Sequence, residues 1–228
     1  MQPPPFLIPR PPFERTPAMT AAFDSLLRAT PGGGLVEYAL PFPKWQFLTW
    51  LCETQPVVLH GSPHLDLEQV EPRLAIDTKA FSNQRAIYAT TDGIFVLYFA
   101  ILDRRRYPAM TLFNTCLQPR LPSAQWSDPL YFFSITHAAL LQNPWCAGAV
   151  YILRRDAFVE EPPGQANGVE FRLPQWVGFQ PEQPVAKLLV APEDFPFLGQ
   201  IHGHDDEKLA RLAAADPGGF PWPGALEC

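Results

Sequence analysis

Proline is spread through this chain at a density that restricts its folding more than any other feature. The 228 residues include 28 prolines, more than twice the average usage of about 5%. They cluster at residues 3–17, 41–43, 162–163 and 217–223. Because proline fixes φ and lacks a backbone N–H, it suits loop edges and the first turn of a helix but not a helix interior. The sequence therefore predicts short elements bounded by these clusters and argues against long helices.

The composition of the chain suits one globular domain with extensions at its ends. Hydrophobic residues make up 47% of the sequence, which at this length supplies enough apolar surface for a full core. We expect a proline-rich arm over residues 1–20 that is extended and packed across the domain, with a disordered terminus as the alternative. A single domain then occupies residues 21–216, and an irregular tail follows over residues 217–228.

Charge and cysteine usage argue against several classes of protein. The net charge of −6 offers no electrostatic reason for nucleic-acid binding. Cys52, Cys116, Cys146 and Cys228 lie far apart without a CxxC pair, so we expect reduced thiols and no cysteine zinc site. The longest apolar run, 94–102, is nine residues long, whereas a membrane helix needs about 20. These features predict a cytoplasmic protein with no membrane partner.

The first half of the chain alternates helical and strand patterns. Trp45 and Leu48 recur at helical spacing behind Pro43, and proline favours the first turn of a helix. Thr91 or Asp92 is a good N-cap for the longest apolar run. The predicted helices cover residues 23–29, 43–54, 66–70 and 94–102, and the predicted strands cover residues 57–60 and 86–90.

The second half of the chain consists mainly of predicted strands, of which the run around residues 148–153 is the clearest because it is rich in β-branched and aromatic side chains. Because helices and strands come first and a run of strands follows, the pattern is typical of an α+β fold and not of a doubly wound fold. The predicted strands cover residues 109–116, 130–136, 148–154, 168–173, 175–179 and 185–191, and a helix is predicted over residues 206–214.

Three short segments stand out by their order and by the residues that they carry. The first is VVLHGS at residues 57–62, and the second is AIYATTD at residues 86–92, so that Tyr88 follows 28 positions after His60. The third is PQW at residues 174–176. Each segment alone has an ordinary structural explanation, since a His-Gly pair commonly ends a strand and a strand tyrosine commonly belongs to the core.

Together these segments resemble the ADP-ribosyltransferase fold, in the style of its diphtheria-toxin and poly(ADP-ribose) polymerase branch. That branch carries a His-Gly on its first core strand, a Tyr on the next strand and a Glu on a later one. The resemblance covers roughly residues 57–190 and depends on the short segments. It implies an α+β domain with a split β-sheet core, preceded here by N-terminal helices and the proline-rich arm, and it implies NAD as a bound substrate.

The resemblance also implies roles for individual residues. His60 would bind the adenine-side ribose, the backbone of Gly61 would hold the nicotinamide amide, and Tyr88 would stack on the nicotinamide ring. Glycine suits this position because a flat ligand can approach a backbone without a Cβ. Ser62 completes the first motif and Thr90 is a small neighbour of Tyr88, so both belong to the predicted NAD-binding residues.

The third segment departs from the family because Gln175 stands where the family has its Glu. Cleavage of the glycosidic bond of NAD develops positive charge on the ribose, which a carboxylate stabilises. A charge pair about 4 Å apart is worth about 4 kcal/mol at an effective dielectric near 20, or roughly a thousandfold in rate. We therefore expect weak chemistry, a different substrate or binding only, unless another acid replaces the missing one.

Two acids lie near Gln175 in the sequence. Glu182 falls in the turn after the strand and could reach over the cleft as a catalytic residue, although a solvated turn residue is its simpler interpretation. Glu170 stands at an odd offset from Gln175, so on one continuous strand it would face the opposite side.

Three functional hypotheses follow from these residues. The leading one is an NAD-binding, mono-ADP-ribosyltransferase-like protein, a possible glycosyltransferase whose acceptor is a protein, a nucleic acid or a small molecule. The second is a non-catalytic interaction module of the same fold. The third is an RNA 2′-phosphotransferase of the same fold, for which Arg73 and Arg85 are available while the acidic net charge counts against it.

Two other segments that contain histidine give weaker evidence for a functional site. His202 and His204 could hold a metal, but no third ligand is placed by spacing, and we favour a polar surface loop with Asp205 capping the next helix. Ser134 and His137 lie three apart without the acid or the glycines of a nucleophile elbow.

Overall fold

The structure of this chain is a computed structural model that describes residues 6–74, 81, 83–166, 168–216 and 218–227. It has a mixed α/β fold, in which these residues form two sheets and five helices. The helices are α1 (Pro17–Ala29), α2 (Lys44–Thr54), α3 (Phe95–Ala100), α4 (His137–Leu140) and α5 (Asp206–Ala215).

Fifteen strands lie within the described ranges. They are β1 (Ile8–Pro9), β2 (Gly34–Leu35), β3 (Val57–Ser62), β4 (Arg73–Leu74), β5 (Arg85–Thr90), β6 (Leu112–Pro119), β7 (Leu130–Thr136), β8 (Gly148–Arg154), β9 (Val159–Glu160), β10 (Gly164–Ala166), β11 (Val169–Arg172), β12 (Gln175–Gly178), β13 (Ala186–Val190), β14 (His202–His204) and β15 (Leu226–Glu227).

The strands divide between an eight-stranded and a seven-stranded sheet. The eight-stranded sheet has the order β2-β13-β8-β3-β5-β12-β9, with β4 also paired to β5. The seven-stranded sheet has the order β10-β11-β6-β7-β14-β15, with β1 also paired to β7. The β2–β13 and β7–β14 pairs are parallel, and the other pairs are antiparallel.

The start of α1 is set by a cap that the sequence prediction missed. The Thr16 hydroxyl accepts a hydrogen bond from the Met19 backbone N–H at 3.2 Å, and Pro17 occupies the first helical turn, where it loses no hydrogen bond. The helix therefore begins well before the predicted residue 23, inside the range assigned to the arm. The prediction for α2 is confirmed, since it begins directly after Pro43.

The end of α2 is tied to the eight-stranded sheet by one arginine. Arg155 donates hydrogen bonds from its guanidinium to the carbonyls of Cys52, Gln55 and Val57. The last carbonyls of a helix lack partners within the helix, and here a charged donor from the end of β8 satisfies two of them. This contact fixes the position at which the chain enters β3.

Asp92 caps α3 and connects the two sheets, which confirms the prediction of an N-cap there. Its carboxylate accepts from the backbone N–H groups of Ile94 and Phe95 at 2.9 and 2.7 Å. The Tyr131 hydroxyl on β7 donates to the same carboxylate at 2.8 Å. Burial raises the pKa of Asp92, while the hydrogen bonds from Phe95, Tyr131 and Ile94 oppose that change. The helix itself is shorter than the predicted 94–102.

Two other predictions of secondary structure are wrong. Residues 66–70 do not form a helix, because the Leu67 N–H donates to the Tyr151 hydroxyl and Val70 forms a bridge with Glu182. The tail is not wholly irregular, since β15 pairs with β14. Part of the arm is ordered as expected, because Ile8 pairs with Tyr131.

The two faces of the eight-stranded sheet pack against different groups of residues. Leu59, Val150 and Ile152 face the main core, which also contains α2, α3 and the inner side of the seven-stranded sheet. The opposite face has a smaller cluster. The buried residues of this cluster are Val58, Val70, Ile87, Ala89, Ala149, Tyr151, Leu153 and Phe158. Among the described helices, none is long and apolar enough to cross a membrane.

Candidate functional site

The three strands that carry the motif residues are direct neighbours in the eight-stranded sheet. Strand β5 lies between β3 and β12. Leu59 is opposite Thr90, and Thr90 is in turn opposite Gln175. The structure therefore brings together the His60, Tyr88 and Gln175 segments, which are far apart in the sequence.

The His60 side chain lies where β3 and β5 separate. The two strands pair through the single position Leu59–Thr90, and beyond it the His60 Nδ1 lies 2.8 Å from the Tyr88 carbonyl oxygen. Because a carbonyl only accepts, this contact requires the proton on Nδ1. The imidazole thus joins β3 to β5 by a side-chain hydrogen bond at a position where the two backbones are no longer paired.

The protonation of His60 follows from its surroundings. Burial lowers the pKa of the imidazole, the Tyr88 carbonyl raises it, and the nearby Arg73 lowers it. The ring is therefore neutral near pH 7, with its proton on Nδ1 and a free electron pair on Nε2. Among the described residues Nε2 has no hydrogen-bond partner, and the residue is only half-buried. Nε2 is consequently an available acceptor for a hydroxyl group.

The faces of the sheet separate the motif residues into two sets. Residues directly opposite one another on paired strands share a face, so Thr90 and Gln175 lie on the same face as Leu59. Tyr88 is two residues from Thr90 and shares that face as well. The His60 side chain leaves β3 on the opposite face, and its imidazole ring extends to the gap between β3 and β5.

Gly61 is required by the packing of a helix. A Cβ at this position would lie 2.3 Å from the Val96 carbonyl oxygen and 2.9 Å from the Ala100 nitrogen of α3. The resemblance predicts that the approach of a flat ligand requires glycine at this position. In the structure, the close backbone of α3 is what excludes a Cβ.

Tyr88 has its ring position set by the chain just before β5. Its hydroxyl donates to the Gln84 carbonyl at 2.8 Å and accepts from the Gln84 N–H at 3.1 Å. The residue is half-buried.

Ser62 and Thr90 make local structural contacts. The Ser62 hydroxyl accepts from the His64 N–H at 3.2 Å, and the Thr90 hydroxyl accepts from the Asp92 N–H at 3.1 Å. Both residues are buried. They hold the turns that follow β3 and β5, and Thr90 also lies beside Gln175 in the sheet.

The structure does not bring Glu182 to Gln175. The Glu182 carboxylate lies 3.7 Å from Arg154, and Arg154 is opposite Val57 at the start of β3. That position is three residues from His60, or about 10 Å along the strand. Glu170 is excluded more simply, because β11 belongs to the seven-stranded sheet, where Glu170 pairs with Arg120 at 3.6 Å.

One acid next to Gln175 was missed by sequence reasoning. The Glu161 backbone N–H donates to the Gln175 carbonyl at 2.9 Å, directly beyond the paired residues of β9 and β12. The only sequence signal was a Glu-Glu pair before two prolines at 162–163. The pairing itself could not be read from local patterns.

His204 corrects the prediction of a polar surface loop at residues 202–206. It is 0% exposed and lies on β14 in the seven-stranded sheet. Its Nδ1 lies 2.8 Å from the Ser134 hydroxyl, and its Nε2 lies 2.8 Å from the Thr111 hydroxyl and 3.2 Å from the Asp206 carboxylate. Asp205 caps α5 as predicted.

The described residues form no metal cluster, and the two cavities that they line lie away from the motif residues. Within the described ranges no three His, Cys, Asp or Glu side chains come together as a metal site. Two cavities of about 370 and 380 Å³ lie elsewhere, one between α1, α2 and the start of β3, the other around Asp66, Glu68 and Lys187. Neither is lined by His60, Tyr88 or Gln175.

The thiols agree with the expectation from their spacing. Cys52, Cys116 and Cys146 are free, and Cys228 lies outside the described residues. Burial raises the pKa of each described thiol, so none is an activated nucleophile.

Comparison of the chain with family models, curated proteins and solved structures finds no match.

Proposed function

We propose that this protein binds NAD at the opening between β3 and β5, as an ADP-ribosyltransferase-like protein. The observation that carries the proposal is the hydrogen bond from His60 Nδ1 to the Tyr88 carbonyl at 2.8 Å. This bond holds His60 against β5, the strand that carries Tyr88. The next strand of the sheet is β12, which carries Gln175. Three separate segments thereby converge around one opening in the sheet.

The chemistry of this opening suits the parts of a dinucleotide. The unprotonated Nε2 of His60 accepts a hydrogen bond from a ribose hydroxyl. The Tyr88 ring, held through its hydroxyl by Gln84, offers an aromatic face for the nicotinamide. Arg73 on β4 lies opposite Ala86 of β5 and is exposed. Its guanidinium is a suitable partner for the diphosphate.

Isothermal titration calorimetry with NAD tests the proposal. Wild-type protein should bind NAD, and Tyr88→Ala should weaken binding by about two- to tenfold, since one stacking contact is worth about 0.5–1.5 kcal/mol. Tyr107→Ala is the matched control, because Tyr107 is also half-buried and donates to a backbone carbonyl, that of Gln142. Absence of binding to wild type, or equal binding by Tyr88→Ala, contradicts the proposal.

A non-catalytic binding module is the second candidate, and Gln175 favours it. An amide at this position keeps a hydrogen bond to the ribose but supplies no negative charge. The two candidates differ in one measurable product, because a transferase or hydrolase releases nicotinamide from NAD and a binding module does not.

A further inference from the structure

We infer that Arg120, Trp126 and Arg172, which we name the Arg–Trp surface, form a docking site for an acidic segment of a partner protein. Carboxylate side chains of that segment bind to the two guanidinium groups. Arg172 lies on β11, and the other two residues follow β6, in the seven-stranded sheet. The inference goes beyond the proposed function and does not depend on NAD binding, which concerns the other sheet.

The pairing of β6 with β11 brings the two arginines together. Arg172 is opposite Gln118 of β6. Two residues along, the Arg120 N–H donates to the Glu170 carbonyl at 2.7 Å, which continues the register. Arg120 also forms a β-bridge with Trp126. Because residues that are opposite each other, or two apart on one strand, share a face of the sheet, both arginine side chains and the indole lie on one face.

The Trp126 ring holds both guanidinium groups in place. The Cζ atoms of Arg120 and Arg172 lie 4.9 and 5.2 Å from the centroid of the ring. Among the described residues, no other ring has two arginines over it. An arginine that is already stacked on an aromatic ring loses little further side-chain freedom when it binds an anion. The arrangement is therefore preorganised for binding.

The hydrogen bonds of Arg172 leave one edge of its guanidinium group available. Its Nε donates to the side-chain oxygen of Gln118 at 2.9 Å, and the Gln118 amide nitrogen donates in turn to the Ser127 carbonyl at 2.8 Å. Within the described part of the chain, neither terminal nitrogen of Arg172 has a hydrogen-bond partner. Two N–H groups on one edge of a guanidinium match the two oxygens of a carboxylate, so Arg172 is oriented to bind one.

Arg120 already lies beside a carboxylate of the protein itself. Its Nη1 is 3.6 Å from the Glu170 carboxylate, and the two side chains are 39% and 40% exposed. That separation is longer than a hydrogen bond, and an exposed ion pair of this kind is weak. A carboxylate from a partner can therefore replace Glu170 at Arg120.

An acidic peptide fits the Arg–Trp surface better than a nucleic acid does. A nucleobase would have to compete with the guanidinium groups for the Trp126 ring, whereas carboxylates bind to those groups where they stand. The net charge of −6 also repels a polymer that carries a negative charge at every nucleotide. In an extended peptide, side chains two residues apart lie on the same side and about 7 Å apart, which suits two guanidinium groups over one ring.

Fluorescence anisotropy with a labelled octapeptide of alternating glutamate and alanine tests this surface. Wild-type protein should bind the peptide, and it should not bind the same peptide with glutamine in place of glutamate. Arg172→Gln should weaken binding by about fivefold or more, because the hydrogen bonds that it removes are made to a charged group. Arg106→Gln is the matched control and should bind as wild type does, since Arg106 is exposed and lies alone over a ring, that of Tyr107, at 5.2 Å.

Glu170→Gln is a second variant, and its expected effect cannot come from misfolding. It removes the carboxylate that competes for Arg120, so it should tighten binding of the acidic peptide by about twofold. A gain in affinity requires a folded protein.

Several outcomes would overturn the inference. They are absence of binding by wild type, equal binding by Arg172→Gln, equal binding of the glutamine peptide, and a Glu170→Gln variant that binds no more tightly than wild type. Tighter binding of single-stranded oligothymidine than of the acidic peptide in the same buffer would also overturn it, in favour of a nucleic-acid site. None of these results alters the NAD affinity that calorimetry measures, so this inference and the proposed function fail separately.

Discussion

Two histidines, one in each sheet, are held in opposite ways. His204 is fully enclosed, and both ring nitrogens contact polar side chains, those of Ser134, Thr111 and Asp206. His60 is half-buried, and within the part of the chain that the structure describes only its Nδ1 is hydrogen-bonded, to the Tyr88 carbonyl. A buried polar group with all its partners in the protein serves stability, whereas a ring with one available nitrogen is suited to binding. The difference identifies His60 as the candidate ligand-binding histidine.

The largest expected difference between the two histidines is the loss of stability when each is replaced by alanine. His204→Ala removes partners of the buried Ser134 hydroxyl and leaves a cavity, so it should lower the free energy of unfolding by about 3–5 kcal/mol. His60→Ala removes one hydrogen bond and should cost about 1 kcal/mol. Urea denaturation measures both values, and His202→Ala serves as a half-buried control. Equal losses for His60→Ala and His204→Ala would remove the distinction.

The glycines next to the two histidines give a second, smaller test. A Cβ at Gly61 would meet the α3 backbone at 2.3 Å, whereas at Gly203 it would meet the His137 side chain at the same distance. A side chain can move aside more easily than a helix, so Gly61→Ala should cost about 3 kcal/mol and Gly203→Ala about 1 kcal/mol. Gly199, which has open space around it, is the control for a neutral Gly→Ala change.

Thermal unfolding of the three glycine variants provides the measurement. A smaller loss for Gly61→Ala than for Gly203→Ala would mean that α3 can shift away from β3. In that case the requirement for glycine at position 61 would have to come from something other than the helix.

The pH dependence of stability is the smallest expected effect, and it sharpens the comparison. Burial lowers the pKa of both rings, opposed at His204 by Asp206 and Asp205 and at His60 by the Tyr88 carbonyl. A histidine free in the unfolded chain titrates near pH 6.5, so each ring stabilises the fold above that pH. This contribution is lost as the pH falls from about 6.5 through the lower pKa of the folded state.

Urea denaturation between pH 7.5 and 5 should therefore show stability falling with pH in wild-type protein. His60→Gln should flatten that fall. Asp206→Asn should prolong it toward lower pH, because it removes a carboxylate that raises the pKa of His204. Stability that rises as the pH falls through this range would show that at least one of the two pKa values lies above its ordinary value.

Local patterns predicted several elements close to where the structure has them. Pro43 marks the start of α2, Asp92 caps α3, and β7 and β8 coincide with the predicted strands. Separate strands were predicted over residues 168–173 and 175–179, and β11 and β12 confirm that division. The two strands belong to different sheets, so the relative facing of Glu170 and Gln175 on one continuous strand does not apply.

The sequence predicted which strands of the candidate site are neighbours but not which groups are in contact. The resemblance placed His60, Tyr88 and Gln175 in one pocket, and the structure makes their strands neighbours. It did not predict the backbone contact between Glu161 and Gln175, because the pairing of β9 with β12 joins residues separated by a loop and a strand pair of the other sheet. Nor did it show that Gly61 contacts a helix.

The sequence by itself determined where helices begin and which runs are strands, because caps, prolines and side-chain periodicity act within a few residues. The tertiary structure decided which side chains meet. His204 and Ser134 are 70 residues apart in the chain and in hydrogen-bond contact. The backbones of Glu161 and Gln175 likewise meet only because β9 pairs with β12. Such contacts depend on the register between distant strands, which the burial of the whole core selects and no local pattern encodes.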